Sequence, residues 1–124
     1  FGTAEAVGLL ARALLAGTSG DANQPAPATP SILRRATTRS VVTGSSRALG
    51  WDTMLPTSSC GTRLSPGAFG HTGFTGTSLW IDQAKDLYVV LLTNRVHPTR
   101  ENDRIGGVRR AVHDAVVADV EMRR

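Results

Sequence analysis

The chain has 124 residues, of which 40% are hydrophobic, 19% charged and 5% aromatic, and its formal charge is +4 at pH 7. This length fits one domain or part of a larger one, and the composition excludes collagen-like, low-complexity and strongly charged disordered chains. The longest uninterrupted apolar stretch, Leu87 to Leu92, is far shorter than the roughly 20 residues that a membrane span needs, so no membrane span is expected.

The basic residues are scattered along the chain. All fourteen are arginines except Lys85, and no stretch interleaves them with aromatic residues. Nucleic-acid binders usually concentrate basic charge in a stripe or on one element. The distribution therefore predicts a solvated, arginine-rich surface and no nucleic acid partner. The first residue is Phe1 and no signal pattern opens the chain, so the localisation is left open.

The residues that bind metals in other proteins are few here. The single cysteine, Cys60, excludes an internal disulfide and a cysteine-cluster zinc site, and without an identifiable base partner it is expected to be a passive thiol. His71, His97 and His113 lack the spacing of metal ligands, so neither a metal nor a cofactor is expected. His97 is assigned to a loop, and His113 is expected to be half-exposed on the last helix.

The first half of the chain predicts two helices joined by loops. A helix over residues 3–16 begins with Thr3 as the N-cap and ends at Gly17 as the C-cap. Its apolar face consists of Val7, Leu10, Ala11 and Leu14. Residues 18–30, with three prolines, predict a surface loop, and residues 32–37 a short helix. Within residues 40–67, rich in Ser, Thr and Gly, only Leu49-Gly50-Trp51 is expected to form a strand or a core contact.

The second half predicts a β-hairpin and a helix. Residues 74–81 alternate as a strand, and residues 87–93 form a second strand that is apolar on both faces. A strand apolar on both faces is typical of the centre of a covered sheet, so residues 87–93 are expected there. The last helix is predicted over residues 103–122, with Asp103 as its N-cap. Its apolar stripe consists of Ile105, Val108, Val112, Ala115, Val116 and Val120. The fold class is therefore α/β, an antiparallel sheet flanked by helices.

The segment from Gly70 to Gly76 is unusual because it combines three glycines, two threonines and a histidine at the expected start of a strand. Glycine in a strand often marks the close approach of a ligand or another backbone. A histidine, a hydroxyl group and a bare N–H along one edge suit a substrate with an anionic or carbonyl group. A glycine-kinked edge strand with a surface histidine explains the same residues, and spacing alone does not separate the two interpretations.

Over nearly its whole length the chain resembles the C-terminal end of the serine β-lactamase and penicillin-binding-protein-like superfamily. That superfamily includes class C β-lactamases, D-alanyl-D-alanine carboxypeptidases and family VIII esterases. The residues that carry the resemblance are Thr3-Ala4-Glu5, Leu49-Gly50-Trp51-Asp52, Phe69 to Thr77, Leu87 to Arg95 and His97 to Ile105. The resemblance implies the C-terminal part of a β-lactamase-like sandwich.

His71-Thr72-Gly73 matches the superfamily's third motif, Lys-Thr-Gly or His-Thr-Gly, on a strand that lines the active site. The resemblance implies that the Thr72 hydroxyl binds the carboxylate or carbonyl side of the substrate and that His71 supports the proton network. It also implies that Gly73 lets the substrate backbone approach and that the Phe74 N–H is one of two oxyanion-hole donors. The resemblance further implies that Asn102 and Arg104 face the substrate's carboxylate.

Two of the superfamily's three catalytic motifs are absent from this sequence. None of the serines is followed by lysine three positions on, and the nearest form, Ser31-Ile32-Leu33-Arg34, places an arginine there. Arginine is too basic to accept the serine's proton. The sole tyrosine reads Tyr88-Val89-Val90 and not Tyr-x-Asn. In the superfamily both missing motifs lie upstream of the matched region.

Residues 1–124 are therefore expected to be the C-terminal part of one β-lactamase-like serine hydrolase domain whose N-terminal catalytic part is missing. The parent enzyme would act through an acyl-enzyme on ester, amide or β-lactam carbonyls of small-molecule or peptide substrates, and this chain alone would be inactive. Two alternatives stay open. One is a non-catalytic protein that binds peptidoglycan peptides or acyl groups, and the other is a truncated relic without independent function.

Overall fold

The structure is a computed structural model that describes residues 2–21 and 23–124. The described residues form three helices and four strands, which confirms the predicted α/β class. The helices are α1 (Ala4–Ser19), α2 (Pro30–Thr37) and α3 (Ile105–Met122). The strands are β1 (Asp52–Thr53), β2 (Phe69–Thr72), β3 (Ser78–Asp82) and β4 (Leu87–Leu91). Of the predicted loop over residues 18–30, Ala22 lies outside the described residues.

The four strands form one antiparallel sheet in the order β1-β2-β3-β4. The predicted hairpin between the last two strands is confirmed, and its turn is closed by Asp82, whose Oδ1 accepts the Ala84 and Lys85 N–H groups. The expectation that β4 lies at the centre was wrong, because β4 is the last strand of the described sheet. Its apolar pattern has another cause, since both α1 and α3 contact it.

The sheet separates two apolar cores. Neighbouring side chains on β3 point to opposite faces, so Ile81 belongs to one core and Trp80 to the other, and both are fully buried. The first core joins β2 and β3 to the two N-terminal helices through Ala11, Leu14, Leu33 and Phe69. The second lies under α3 and contains Cys60, Leu64, Ala68 and Val117. Helices therefore cover both faces of a thin sheet.

The strand predicted over residues 74–81 is only partly present. The sequence Phe69–Thr72 forms β2, residues 73–77 form a turn, and β3 begins at Ser78. Two glycines explain the difference, because Gly73 and Gly76 close the turn with a hydrogen bond and Gly76 has a φ of 114°, which favours glycine. The motif His71-Thr72-Gly73 consequently ends one strand and does not begin the next.

Helix α1 begins as predicted, because the Thr3 side chain accepts the Ala6 N–H. Its predicted end at Gly17 was wrong: the helix continues to Ser19, and Gly20, with a φ of 79°, is the C-cap. Gly17 is instead buried where α1 meets α2, so close to Leu33 that a Cβ would clash. Leu10, expected in the apolar stripe, is 47% exposed, since the buried face runs through glycine and alanine.

Helix α3 begins at Ile105, later than predicted, and Arg104 rather than Asp103 is its N-cap. Within the described residues the helix has no side-chain cap, and the Asn102 Oδ1 accepts the Arg104 N–H just before its first turn. The buried face of the helix was also mispredicted. It consists of Arg109, His113 and Val117, whereas Val108 of the expected stripe is 44% exposed.

The segment Leu49-Gly50-Trp51 was expected to form a strand or a core contact, and only Trp51 does so. Leu49 is exposed and Gly50 has a φ of 82°, as a turn requires, so neither belongs to a strand. Trp51 packs edge-on against Phe69, with ring centroids 5.2 Å apart, and thereby extends the first core beside β1.

Candidate active site

The motif His71-Thr72-Gly73 lies at the end of β2, beside β3. In the antiparallel register His71 is opposite Leu79 and Thr72 is opposite Ser78. A groove of about 370 Å³ runs along this end of the sheet. Its polar lining comes from His71, Thr72, Gly73, Thr77 and Ser78, and its apolar lining includes Val7, Leu79 and Leu92. The three motif residues thus share one groove that has room for a small acyl group.

The imidazole of His71 has a neighbour that the sequence did not indicate. An Arg47 Nη1 lies 3.4 Å from His71 Nε2, at the outer limit of a hydrogen bond. Arginine can only donate, so in a hydrogen bond between these two groups the His71 Nε2 would be the acceptor. Arg47 is 24 positions away in sequence, and no local motif links it to the histidine.

The turn over residues 73–77 is held by its carbonyl groups. All five of its carbonyl oxygens accept hydrogen bonds. Within the turn, Gly73 O accepts from Gly76 N (3.1 Å) and Thr77 O accepts from Gly73 N (2.8 Å), and Arg109 Nη2 donates to the same two oxygens at 2.7 and 2.8 Å. The other three accept from outside the turn: Phe74 O from Arg95 Nε (2.7 Å), Thr75 O from Arg95 N (2.9 Å) and Gly76 O from Thr93 Oγ1 (2.8 Å). Within residues 2–21 and 23–124 no acceptor takes the Phe74 N–H. This N–H is therefore available as a donor to a ligand.

Phe74 follows the motif but is not among the residues that line the groove, and its side chain is not buried. Its ring is 66% exposed and lies under the Arg95 guanidinium, 4.3 Å from the ring centroid. The contact is a cation–π interaction. The Arg95 guanidinium therefore places a positive charge on the outer side of the turn over residues 73–77, which follows the strand part of the motif.

Asn102 and Arg104 line a different cavity, of about 380 Å³, together with Arg95 and Ile105. Asn102 is occupied by local bonds, because its Oδ1 accepts the Arg104 N–H and its carbonyl oxygen accepts an Arg95 Nη1. Neither residue lines the groove beside His71 and Thr72. Their contact with a substrate carboxylate stays a prediction.

Ser78 is a groove residue that sequence reasoning missed. It lies opposite Thr72 in the sheet, and its buried Oγ has no hydrogen-bond partner among the described residues. A serine at the start of a strand carries no sequence signal of its own. The register between β2 and β3 alone places it beside the motif.

The expectation of a half-exposed His113 was wrong, because its side chain is fully buried. Its Nδ1 lies 2.5 Å from the Arg109 carbonyl oxygen one helical turn earlier, and its Nε2 has no partner in the described part of the chain. Burial lowers the pKa of His113, and the nearby Arg109 cation lowers it further, although the carbonyl bond and Asp114 oppose both effects. The neutral imidazole is therefore the folded form.

Because the pKa of His113 is lower in the folded protein than in the unfolded chain, the unfolded chain binds more protons below about pH 6.5. We therefore expect the free energy of unfolding to fall as the pH drops from 7 towards 5. Replacing His113 with Phe should flatten this dependence in urea unfolding experiments. Replacing the exposed His97 with Gln serves as the control and should leave the slope unchanged. Equal slopes for wild type and His113→Phe would contradict the assignment.

The thiol of Cys60 is fully buried, and this burial raises its pKa to about 12. A buried thiol with so high a pKa carries almost no thiolate near neutral pH. Cys60 packs instead against Trp80 and Val117 in the second core. It therefore contributes to packing and not to the candidate active site.

Comparison with known proteins identifies the family. The family model described as Beta-lactamase matches residues 1–113. A protein of Escherichia coli (strain K12) named "Putative D-alanyl-D-alanine carboxypeptidase" is 44% identical over 54 residues, which is 40% of this chain and 12% of that protein. A protein of the same name from Salmonella gallinarum is 39% identical over 62 residues, or 46% of this chain and 14% of that protein. The chain belongs to the Beta-lactamase family.

The matched region is a small part of the relatives, since this chain aligns with only 12–14% of their length. No solved structure matches the chain significantly. Among the described residues, no helix combines the length and the apolar character needed to cross a membrane.

Proposed function

We propose that residues 1–124 are the C-terminal segment of a single serine hydrolase domain that acts by acyl transfer on ester, amide or β-lactam carbonyls. The observation that carries this proposal is the groove lined by His71, Thr72 and Gly73, together with the Phe74 backbone N–H that follows the motif and has no acceptor among the described residues. Membership of the Beta-lactamase family supports the reaction class. The relatives' names support a peptide acyl substrate as one candidate.

Each residue of the motif has a chemical role in this proposal. The Thr72 hydroxyl binds the carboxylate or carbonyl side of the substrate, and Gly73, which has no side chain, lets the substrate backbone approach. The Phe74 N–H donates to the oxyanion that develops when the nucleophile attacks the carbonyl. His71, next to Arg47, supports the proton network. The nucleophilic serine and its lysine come from the missing N-terminal part of the same domain.

The first experiment is to read the source message upstream of the Phe1 codon. The proposal expects an in-frame Ser-x-x-Lys followed by Tyr-x-Asn, because this chain holds neither motif. The complete reading frame should then hydrolyse a chromogenic ester, a β-lactam or a D-Ala-D-Ala peptide. The isolated chain should show no burst with any of them. A stop codon upstream together with a start codon near Phe1 would remove the enzyme proposal.

Replacing Thr72 with Val removes the hydroxyl while it keeps the branched shape of the side chain. In the complete enzyme we expect kcat/KM to fall about 10- to 100-fold, because a hydrogen bond to a charged or developing-charge group is lost. The matched control is Thr75→Val in the exposed part of the following turn, which should leave kcat/KM unchanged. Equal activity of the two variants would exclude substrate binding by Thr72.

A second candidate function is a non-catalytic protein that binds peptidoglycan peptides or acyl groups. It is favoured by the absence of Ser-x-x-Lys from a chain that keeps the groove. Saturable binding of a D-Ala-D-Ala peptide to the 124-residue chain, lost in Thr72→Val, would support it over the enzyme proposal if the upstream motifs are missing.

A further inference from the structure

The peptide unit between Gly73 and Phe74 carries two groups with opposite orientation. Its carbonyl oxygen belongs to Gly73, and its N–H is the Phe74 donor of the proposed oxyanion hole. A trans peptide is planar, so these two groups point in opposite directions. In the described chain the only cis peptide bond is His97-Pro98. Whatever fixes the Gly73 carbonyl therefore also fixes the direction of the Phe74 N–H.

Arg109 of α3 holds that carbonyl. Its Nη2 donates to Gly73 O at 2.7 Å and to Thr77 O at 2.8 Å, so one nitrogen joins the two ends of the turn. The Arg109 side chain is buried, with 8% of the residue exposed, and it lies on the same helix face as His113 and Val117. The guanidinium therefore reaches the turn from a fixed position inside the fold.

The charge on Arg109 is not neutralised by a carboxylate. Among the described residues it makes no ion pair, and its acceptors are neutral carbonyl oxygens. Burial lowers the pKa of Arg109, and a second cation, Arg95, lies close enough to lower it further. A buried guanidinium without a counter-ion is costly for stability alone. Its bonds to the turn suggest that it is kept for the geometry and the positive potential there.

We propose that Arg109 is a positioning residue, which locks the Gly73–Phe74 peptide so that the Phe74 N–H faces the groove as an oxyanion donor. This inference rests on the proposed acyl-transfer function. Arg109 does not line the groove and acts only through the backbone of the turn. Its donation to the Gly73 carbonyl also polarises the peptide, which makes the N–H a stronger donor.

The first test uses amide hydrogen exchange in the 124-residue chain. The Gly73 and Gly76 amides donate to the turn's own carbonyls, so their exchange reports its order. In Arg109→Met we expect these two amides to exchange about tenfold faster or more, as loss of a charge-assisted hydrogen bond predicts. Strand amides of the β3–β4 pair should keep their protection. The control is Arg110→Met, because the neighbouring Arg110 donates to Thr57 O, away from the turn.

Equal exchange at Gly73 and Gly76 in both variants would overturn the proposal. If Arg109→Met does not fold, Arg109→Lys keeps a charge and one donor group on the same helix. It should fold and speed exchange at these two amides only. If Arg109→Lys instead speeds the exchange of all amides by the same factor, Arg109 stabilises the fold as a whole and the proposal fails.

The second test separates the positioning role from the proposed function. A D-Ala-D-Ala peptide is titrated into the complete domain, which includes the proposed N-terminal part, while the Phe74 amide resonance is followed. The wild type and Arg110→Met should show the same saturable shift, and Arg109→Met should lose it. The same shift in Arg109→Met would overturn the positioning role. If the wild type shows no shift, the proposed function fails for this ligand, whereas the exchange comparison still decides whether Arg109 orders the turn.

Discussion

Replacing Trp80 with Ala should lower the free energy of unfolding by about 3–5 kcal/mol, the range seen when a buried aromatic side chain is truncated. Trp80 has the largest side chain among the fully buried residues, and it fills the core between β3 and α3. Its removal leaves a cavity beside Val117 and Cys60, its neighbours in the second core. Urea unfolding followed by circular dichroism measures the loss.

Two variants control this prediction. Leu49→Ala removes an exposed side chain and should change stability by less than about 0.5 kcal/mol. Trp80→Phe keeps an aromatic ring and removes the buried Nε1, which has no partner among the described residues. It should cost clearly less than Trp80→Ala. If Trp80→Ala were as stable as Leu49→Ala, the second core would not depend on the tryptophan.

Replacing Gly70 with Ala should also destabilise the fold strongly, by more than the 1–3 kcal/mol that is typical of overpacking. A Cβ at this position in β2 would lie 2.5 Å from Trp80 Cδ2 and would collide with the Leu79 carbonyl oxygen of the paired strand. Backbone atoms of the sheet cannot yield without breaking the β2–β3 pairing. The result would be a lower unfolding midpoint together with a displaced His71-Thr72 motif.

The matched control is Gly67→Ala, since a Cβ there meets nothing within 4 Å. The double variant Gly70→Ala/Trp80→Ala gives a sharper test. Because the added methyl group and the tryptophan ring compete for one space, their effects should not be additive, and the pair should cost less than the sum of the single changes. Additive effects would show that the backbone clash with Leu79 dominates.

The sequence predicted most of the secondary structure and missed where its polar residues lie. Apolar periodicity located α1, the β3–β4 hairpin and α3, because these elements bury long apolar side chains. It misplaced the buried face of α3, where Arg109 and His113 replace apolar residues. Periodicity analysis treats such residues as solvent-facing, and only the three-dimensional contact with the turn over residues 73–77 explains the burial of Arg109.

The residues of the candidate site could likewise be predicted from sequence only in part. His71-Thr72-Gly73 could be identified from sequence because a short motif with a superfamily match carries it. Arg47, Ser78 and Arg109 could not, since each meets the motif through tertiary contacts over 6 to 36 positions of sequence. The nucleophile cannot be located in this chain by either route, since no serine has the required lysine.

The alternation of Trp80 and Ile81 between two cores has a consequence for how the sheet forms. Side chains along a strand alternate between faces, so a slip of β3 by one residue against β2 would exchange the contents of the two cores. The bulky indole would then face α1 in the place of Ile81, and the smaller isoleucine would face α3 in the place of the indole. Size mismatch on both faces at once selects a single strand alignment, which also fixes Thr72 opposite Ser78. The pairing that creates the groove is thus selected by residues that never touch it.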